Sequence, residues 1–268
     1  MSEKRIIYLK SEDDAQIIKD NGVILGKAHA EVAKVLKPGV KTKDLDKIAE
    51  QYILDCGGKP SFKNYNGFPA TLCISVNEVV VHGIPSNREL KDGDVISIDC
   101  GVYKNGYHAD SAYTYMIGNV DPKVNKLLKD TKASLYKGIE MVKPGNRIGD
   151  VSYAIQNFTE NLGYGVVREL VGHGVGRSLH EAPEVPNFGR RGNGPKLQTG
   201  MVIAIEPMIT LGKRFVVQED DNWTIRTEDR LPAAHFEHTV IVSKNGCEVL
   251  TTFEYIEEVL VNNNQEVL

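Results

Sequence analysis

The chain contains two related halves, and this internal repeat constrains the fold more than any other feature of the sequence. Leu90–Asp99 (LKDGDVISID) recurs as Leu197–Glu206 (LQTGMVIAIE), with a glycine, a Val-Ile-x-Ile strand and a terminal carboxylate at matched places. Earlier in each half, Lys37-Pro38-Gly39 recurs as Lys143-Pro144-Gly145 at almost the same spacing. Because an unpaired carboxylate is costly to bury, acids at matched strand ends predict two half-sites that face each other across a pseudo-twofold axis.

The repeat also predicts the domain organisation. A chain of 268 residues with 41% hydrophobic and 25% charged residues is ordinary for a globular protein of one or two domains. Since each half supplies part of a common site, we predict one catalytic domain over residues 1–250, with repeat units at about 36–117 and 142–243. The acidic, Asn-rich residues 251–268 are predicted to form a frayed C-terminal tail.

Charge, cysteine usage and hydropathy exclude several classes of protein. The net charge of −4 lacks the basic excess that is typical of a DNA-binding protein. Cys56, Cys73, Cys100 and Cys247 show no CxxC or paired spacing, which indicates reduced thiols. Neither a secretory leader nor an apolar run of about 18 residues is present. We therefore expect a cytoplasmic protein without a DNA or membrane partner.

The order of predicted elements favours an α/β (α+β) fold in which helices cover an antiparallel sheet. Apolar residues at helical spacing predict helices, with Ser11 and Thr42 as N-caps of the first two, over residues 11–36, 42–56, 122–140 and 148–161. Short apolar runs predict strands over residues 71–76, 79–81, 94–103, 107–117, 165–172, 201–210 and 234–243. The second half thus repeats the order of the first.

A β-hairpin is predicted to bring two aspartates together. Asn105-Gly106 between two strands favours a two-residue type I′ turn, which pairs Lys104 with Tyr107. Asp110 then lies opposite Gly101, so that Asp99 is its diagonal neighbour on the same face. Two isolated acids on a hairpin are more often an ordinary solvated face. Because Glu206 occupies the position equivalent to Asp99 in the second half, a shared acidic site is the favoured interpretation here.

Three further residues are candidate metal ligands. Glu206 precedes Pro207, which holds it in an extended conformation. Strand alternation places Glu237 where it could pair with Glu206, as Asp110 pairs with Asp99. His173 lies between two glycines, which allow the backbone to bend and approach a ligand closely. A single histidine is more often structural, although glycines on both sides weaken that interpretation.

Four carboxylates and one imidazole form an oxygen-rich ligand set. Such a set suits Mn, Fe(II), Co or Zn rather than Cu(I). Bridging carboxylates would hold two metal ions about 3.5–4 Å apart, which is typical of metal-assisted hydrolysis. His82 and His180 each begin a His-x-x-Pro turn before the acidic strand of their half. Each alone would be interpreted as a hydrogen-bonded turn residue, but together they suggest donors to a substrate or its oxyanion.

The order and spacing of these residues resemble those of type I methionine aminopeptidases. The resemblance extends over about residues 10–250 and includes Ser75–Pro85, Asp99–Ser111 and Gly172–Arg177. It implies the pita-bread fold, with two pseudo-twofold-related halves around a dinuclear metal site. It also implies metal-dependent removal of the initiator methionine from nascent proteins whose second residue is small. A monomer that associates transiently with the ribosome, through lysines between Lys27 and Lys47, is expected.

The resemblance implies a role for each site residue. Asp99, Asp110 and Glu237 would bind or bridge two divalent ions (Co, Mn, Fe(II) or Zn), and His173 and Glu206 would complete one of the metal sites. Glu206 would also be the proton shuttle for the bridging water that attacks the scissile carbonyl. His82 would contact the scissile amide, and His180 would stabilise the oxyanion. The substrate pocket would contain Tyr65, Phe68, Cys73, His82, His180 and Trp223.

Two positions depart from the family pattern, and two other functions remain open. Phe62 stands where many relatives have a small residue, often cysteine, and Leu179 replaces a usual aromatic residue; both change the expected pocket shape. Prolidase, aminopeptidase P and creatinase relatives share the fold, but the first two usually carry a large N-terminal domain, and only about ten residues precede the first helix here. A non-catalytic binding module of this fold typically loses metal ligands, whereas all five are present here.

Overall fold

Both halves place two helices before a set of antiparallel strands. The computed structural model describes residues 6–268. The first half contains α1 (Glu12–Ala33), α2 (Thr42–Asp55), β1 (Lys59–Pro60), a 3-10 helix (Tyr65–Gly67), β2 (Leu72–Val76), β3 (Val79–Val81), β4 (Val95–Lys104) and β5 (Tyr107–Met116). The second half contains α3 (Pro122–Ile139), α4 (Ile148–Asn161), β6 (Gly165–Val166), β7 (Gly172–Gly174), β8 (Glu181–Val185), β9 (Val202–Ile205), β10 (Met208–Thr210), β11 (Val216–Gln218), β12 (Ile225–Thr227), β13 (Ala233–His235), β14 (His238–Ser243), β15 (Gly246–Val249) and α5 (Glu254–Asn262).

Each half is built around one main antiparallel sheet. In the first half, β4 pairs with β5 along one edge and with β2 and β1 along the other. In the second half, the strand order is β15-β14-β9-β7-β8. A smaller sheet, β13-β10-β6, extends the second half, and the sheet β11-β12-β3 links the two halves because β12 pairs with β3.

Helices cover the sheets, as the sequence predicts. On α1, Ile18, Leu25 and Val32 recur every second turn and are at most 1% exposed. This face packs on β4 and β5, while α3 and α4 pack on each other and contact strands of the second half. Leu128 and Leu135 of α3 are likewise fully buried. The apolar stripe of each helix therefore determines which side faces the sheet.

Hydrogen bonds across the boundary between the halves join β5 to the chain around β13 and β14. The Thr239 hydroxyl donates to the carbonyl of Asp110 at 2.7 Å and accepts from its amide at 3.2 Å. The Thr114 hydroxyl does the same with the backbone of His235, at 2.7 and 3.0 Å. Between these two clamps, the Glu237 amide donates to the Ala112 carbonyl at 2.9 Å. The backbone on both sides of the boundary is thereby held in register.

The structure differs from the sequence-based elements in two ways. Ser11 caps α1 in a capping box with Asp14, but Thr42 does not cap α2; its hydroxyl instead bonds the backbone of Ser86, so this prediction is wrong. Each predicted second-half strand is interrupted: residues 165–172 divide into β6 and β7, 201–210 into β9 and β10, and 234–243 into β13 and β14. Glu206 and Glu237 occupy the last two interruptions.

The C-terminal residues also differ from the prediction. Residues 254–262 form α5, which packs against α1 and buries Ile256 and Leu260. The prediction of a frayed end is therefore wrong for this helix, because its apolar spacing supplies a buried face.

Across residues 6–268, none of the helices combines the length and the apolar character that crossing a membrane requires.

Candidate active site

The first pair of carboxylates lies on the β4–β5 hairpin in the predicted register. Lys104 pairs with Tyr107 and Gly101 with Asp110, which leaves Asp99 opposite Ala112. Asn105 and Gly106 have φ values of 54° and 86°, as a type I′ turn requires. Local turn chemistry thus determines that Asp99 and Asp110 project from the same face of the hairpin.

The second pair lies where two ladders of the second half are interrupted. β9 pairs with β14 through Ile205 and His238, and β10 pairs with β13 through Met208 and His235. The two ladders have the same register, so Glu206 and the Glu237 position face each other in the gap between them. Release from regular pairing at this gap lets both carboxylates turn toward the first pair.

His173 occupies the short strand β7, between β8 and β9. A Cβ atom on Gly172 would lie 2.4 Å from the Ala204 carbonyl oxygen, and one on Gly174 would lie 2.3 Å from the Ala182 carbonyl oxygen. The flanking glycines therefore permit neighbouring backbones to approach closely. This reason differs from the predicted one, since neither glycine has a positive φ value.

The five side chains converge on one cavity. Nε2 of His173 lies 3.8 Å from Asp110 Oδ2 and 3.7 Å from Glu206 Oε1. Asp110, His173 and Glu237 each offer a ligand atom within 4.8 Å of the other two. Buried oxygens that lack a hydrogen-bond partner include Asp99 Oδ1, Asp110 Oδ1 and Glu237 Oε1. Because buried polar atoms are normally paired, this donor set fits divalent cations.

Burial perturbs the pKa of every ionisable group of this cluster, and repulsion from neighbouring carboxylates adds to the effect at Asp99, Glu206 and Glu237. Burial raises the pKa of Asp110 to about 7. Burial and then the negative charges of neighbouring carboxylates raise the pKa values of Asp99 and Glu237 well above the ordinary range, and the same causes act on Glu206. Burial lowers the pKa of His173 to about 3 and keeps its imidazole neutral. Bound cations would offset the repulsion between ionised carboxylates. Metal binding would also release the protons that the raised pKa values otherwise keep on these groups.

His82 and His180 both line this cavity. The His180 ring contacts the His173 ring edge to face, with centroids 4.2 Å apart, and its Nδ1 lies 2.9 Å from the Tyr65 hydroxyl. His82 has a φ of 58°, a left-handed conformation that is uncommon outside glycine. Burial lowers the pKa of His82 to about 4 and lowers that of His180 as well. Both imidazoles can therefore be neutral donors near pH 7.

One wall of the cavity is apolar and aromatic. The cavity has a volume of about 970 Å³ and includes every site residue predicted from the sequence. Trp223 packs edge-on against Phe68, with ring centroids 5.1 Å apart. The divergent residues Phe62 and Leu179 belong to this wall, which also includes Tyr65, Phe68, Cys73 and Trp223. An unbranched apolar side chain fits between such surfaces.

One buried histidine next to the carboxylates was missed by the sequence analysis. His235 is 1% exposed, and its Nε2 lies 3.6 Å from Glu206 Oε2. Burial lowers its pKa to about 3. Strand alternation could have identified His235, since it lies two residues before Glu237. Met208, which pairs with His235, also lines the cavity and gave no signal of its own.

Comparisons with known proteins agree with this geometry. Residues 16–244 match the model of metallopeptidase family M24. The chain is 50% identical over 246 residues to methionine aminopeptidase 1 of Bacillus subtilis, a match that covers 92% of this chain and 99% of that protein. It is 42% identical to methionine aminopeptidase of Thermotoga maritima, whose crystal structure superposes with a TM-score of 0.91 over 92% of this chain and 100% of that one.

A more distant likeness concerns the fold alone. The prolidase of Pyrococcus furiosus is 23% identical, with a TM-score of 0.75 over 91% of this chain and 65% of that chain.

Proposed function

Because the chain belongs to metallopeptidase family M24 and, within it, to the methionine aminopeptidases, which have the pita-bread fold, we propose that it removes the initiator methionine from nascent polypeptides. The second residue of the substrate would be small. The observation that carries this proposal is the convergence of four carboxylates, two of them (Asp110 and Glu237) buried, and His173 on a cavity that also has an aromatic wall. The carboxylate side fits metal-assisted hydrolysis, and the aromatic side fits a thioether.

The metal centre would contain two divalent ions, Co, Mn, Fe(II) or Zn, held by Asp99, Asp110, His173, Glu206 and Glu237. When bound, such ions supply an acidified water and polarise the scissile carbonyl. The unpaired buried oxygens of Asp99, Asp110 and Glu237 support their assignment as ligands. Because burial keeps the imidazole of His173 neutral, its Nε2 can also bind a metal ion.

The protein's own groups would bind the substrate and move protons. Glu206, whose pKa is raised by burial, accepts a proton from the attacking water and returns it to the leaving amine. His82 donates to the scissile amide. His180, oriented by its hydrogen bond with Tyr65, donates to the oxyanion. The methionine side chain lies among Tyr65, Phe68, Cys73 and Trp223 and excludes water from the reacting groups.

Metal reconstitution tests the proposal. The metal content is first measured in protein that was purified without added metal. The protein is then treated with a chelator, and Mn or Co is added back. Hydrolysis of Met-Ala-Ser should be lost on chelation and should return only after metal is restored. Leu-Ala-Ser should be cleaved poorly. Comparable cleavage of both peptides contradicts a methionine-selective pocket. Preferred cleavage before proline supports a prolidase-type activity, and inactivity with and without metal supports a binding module.

The proposal also concerns where the protein acts and what it contacts in the cell. We propose a cytoplasmic monomer that meets nascent chains through transient contact with the ribosome. The exposed lysines Lys27, Lys37 and Lys47 would supply attraction to ribosomal RNA. Salt-dependent co-sedimentation with ribosomes is the expected result. Co-sedimentation that is absent at low salt contradicts the contact.

A further inference from the structure

A segment without helix or strand precedes α1 and reaches the cavity. We call residues 6–10 the N-terminal strap. Ile6 and Tyr8 line the cavity beside residues of the active site, although both side chains are largely exposed. The amide of Lys10 donates to the Gly200 carbonyl at 2.7 Å, which anchors the strap to the turn before β9. The strap is thus fixed at Lys10 and reaches the cavity with Tyr8.

Lys10 forms a buried ion pair. Its Nζ lies 2.5 Å from Glu181 Oε2, and the two side chains are 4% and 7% exposed. The ammonium also donates to the Tyr8 carbonyl at 3.0 Å. The other carboxylate oxygen of Glu181 accepts from the Ser178 amide at 3.1 Å. One carboxylate therefore connects the strap to the chain on either side of His180.

Space for this pair is provided by a glycine. A Cβ atom on Gly176 would lie 2.6 Å from Lys10 Cε and 2.4 Å from Glu181 Oε1. The carbonyl of Gly176 accepts from the His108 amide at 2.8 Å. Residues 176–180 form bends without regular helix or strand, so their conformation depends on such anchors.

We propose that Lys10 is a positioning residue for the proposed aminopeptidase reaction: through its buried pair with Glu181 it holds the turn that places His180 over the scissile carbonyl. The role of His180 in this inference rests on the proposed function, whereas its placement rests on the contacts of Glu181 with Lys10 and Ser178. Removal of Lys10 leaves the Glu181 carboxylate buried without its cation, an arrangement that drives local rearrangement. The turn and the His180–Tyr65 hydrogen bond then shift together.

Kinetics of matched variants test the proposal. In Lys10→Met, kcat for Met-Ala-Ser should fall about tenfold to a hundredfold while KM changes little, because an oxyanion donor acts mainly in the transition state. Glu181→Gln should lower kcat in the same way with almost no change in volume. In the double variant, kcat should exceed that of Lys10→Met, since no buried charge is left unpaired. The control, Lys19→Met, removes an exposed lysine–glutamate pair with Glu248 and should behave as wild type.

A spectroscopic readout separates positioning from activity. Histidine ring resonances would be recorded by NMR, with the His180 signal assigned from its loss in His180→Asn. This signal should move in Lys10→Met and Glu181→Gln but not in Lys19→Met. If the wild type fails to hydrolyse Met-Ala-Ser, the proposed function fails while the ring signal still tests the positioning.

Either of two results overturns the proposal. One is an unchanged His180 signal in both Lys10→Met and Glu181→Gln. The other is a kcat for both variants equal to that of Lys19→Met, with any loss confined to KM. If Lys10→Met does not fold, Glu181→Gln alone decides both readouts.

Discussion

Two acidic residues that the repeat makes equivalent, Asp99 and Glu206, have different surroundings. Asp99 and Glu206 occupy matching positions of the repeat, but Asp99 lies within β4, whereas Glu206 directly follows β9. Of the two, only Glu206 lies between two imidazoles, with His173 at 3.7 Å and His235 at 3.6 Å. Asp99 instead faces a hairpin partner of its own charge. The asymmetry favours Glu206 as the group that moves protons.

Replacing the proposed proton shuttle should abolish turnover without loss of the fold. Glu206→Gln keeps the volume but removes the basic oxygen, so kcat for Met-Ala-Ser should fall about 10²- to 10⁴-fold. The measurement is the initial rate with saturating metal, alongside circular dichroism. Glu248→Gln makes the same change at an exposed ion pair and serves as control. Retained turnover in Glu206→Gln would contradict the assigned role.

Removing the single tryptophan should weaken binding of methionine rather than the chemical step. Trp223→Ala deletes a wall of the pocket, so KM for Met-Ala-Ser should rise about fivefold to tenfold with kcat nearly unchanged. Trp223→Phe keeps an aromatic face and should restore most of the affinity. Steady-state kinetics with both variants provide the test, and a loss that appears only in kcat would argue against this wall as the methionine pocket.

At the scale of elements, the joint between β5 and β14 holds the two carboxylate pairs together. Asp110 and Glu237 lie in different halves, and backbone contacts at Thr239 and Ala112 fix their relative positions. β5 and β14 do not pair in a β-ladder. The hydroxyl groups of Thr114 and Thr239 supply hydrogen bonds to the facing backbone instead. The geometry of the carboxylate cluster therefore depends on Thr114 and Thr239, whose side chains are not candidate metal ligands.

Loss of one clamp should lower stability and metal affinity together. Thr239→Val is nearly isosteric but leaves the amide and carbonyl of Asp110 unpaired, which should cost about 2–4 kcal/mol in unfolding free energy. Urea unfolding of the metal-free protein and calorimetric titration with Mn are the measurements. Thr199→Val, at an exposed position, is the control. Equal stabilities of the two variants would show that the clamp contributes little.

At the scale of the whole molecule, the buried acids link folding, metal and pH. The folded, metal-free protein holds the pKa of Asp110 at about 7 through burial, compared with about 3.9 in an unfolded chain. The pKa values of Asp99, Glu206 and Glu237 are also raised. At a pH between the unfolded and the folded pKa values, the folded state binds more protons than the unfolded state. The stabilisation that these protons provide is therefore present at low pH and is lost as the pH rises through 7.

The metal-free protein should accordingly be less stable at pH 8 than at pH 6.5. Burial lowers the pKa of His173 and His235 to about 3, and these groups cost stability only below about pH 6.5, where unfolded histidine takes a proton. We expect Tm to fall by about 3–5 °C over this interval. Added Mn should raise Tm more at pH 8 than at pH 6.5. A metal shift that is independent of pH would contradict the linkage.

The local parts of the site could be predicted because their determinants are close in sequence. Turn residues Asn105 and Gly106 set the register of one hairpin, and that register alone placed Asp99 beside Asp110. Conversely, Thr42 was assigned as a cap from local pattern, yet tertiary contact with Ser86 redirected its hydroxyl. The breaks at Glu206 and Glu237 were also missed, because their cause is pairing with distant strands.

By itself, the sequence determined the two-half architecture, the acid-bearing strands and the residue types of the candidate metal centre. These depend on repeat spacing, strand alternation and turn chemistry, which act over a few residues. Only the tertiary structure decided that β5 meets β14, that His235 faces Glu206 and that Lys10 reaches Glu181. Those contacts join residues far apart in the chain, and their distances depend on how the packed sheets and the strap are arranged in space.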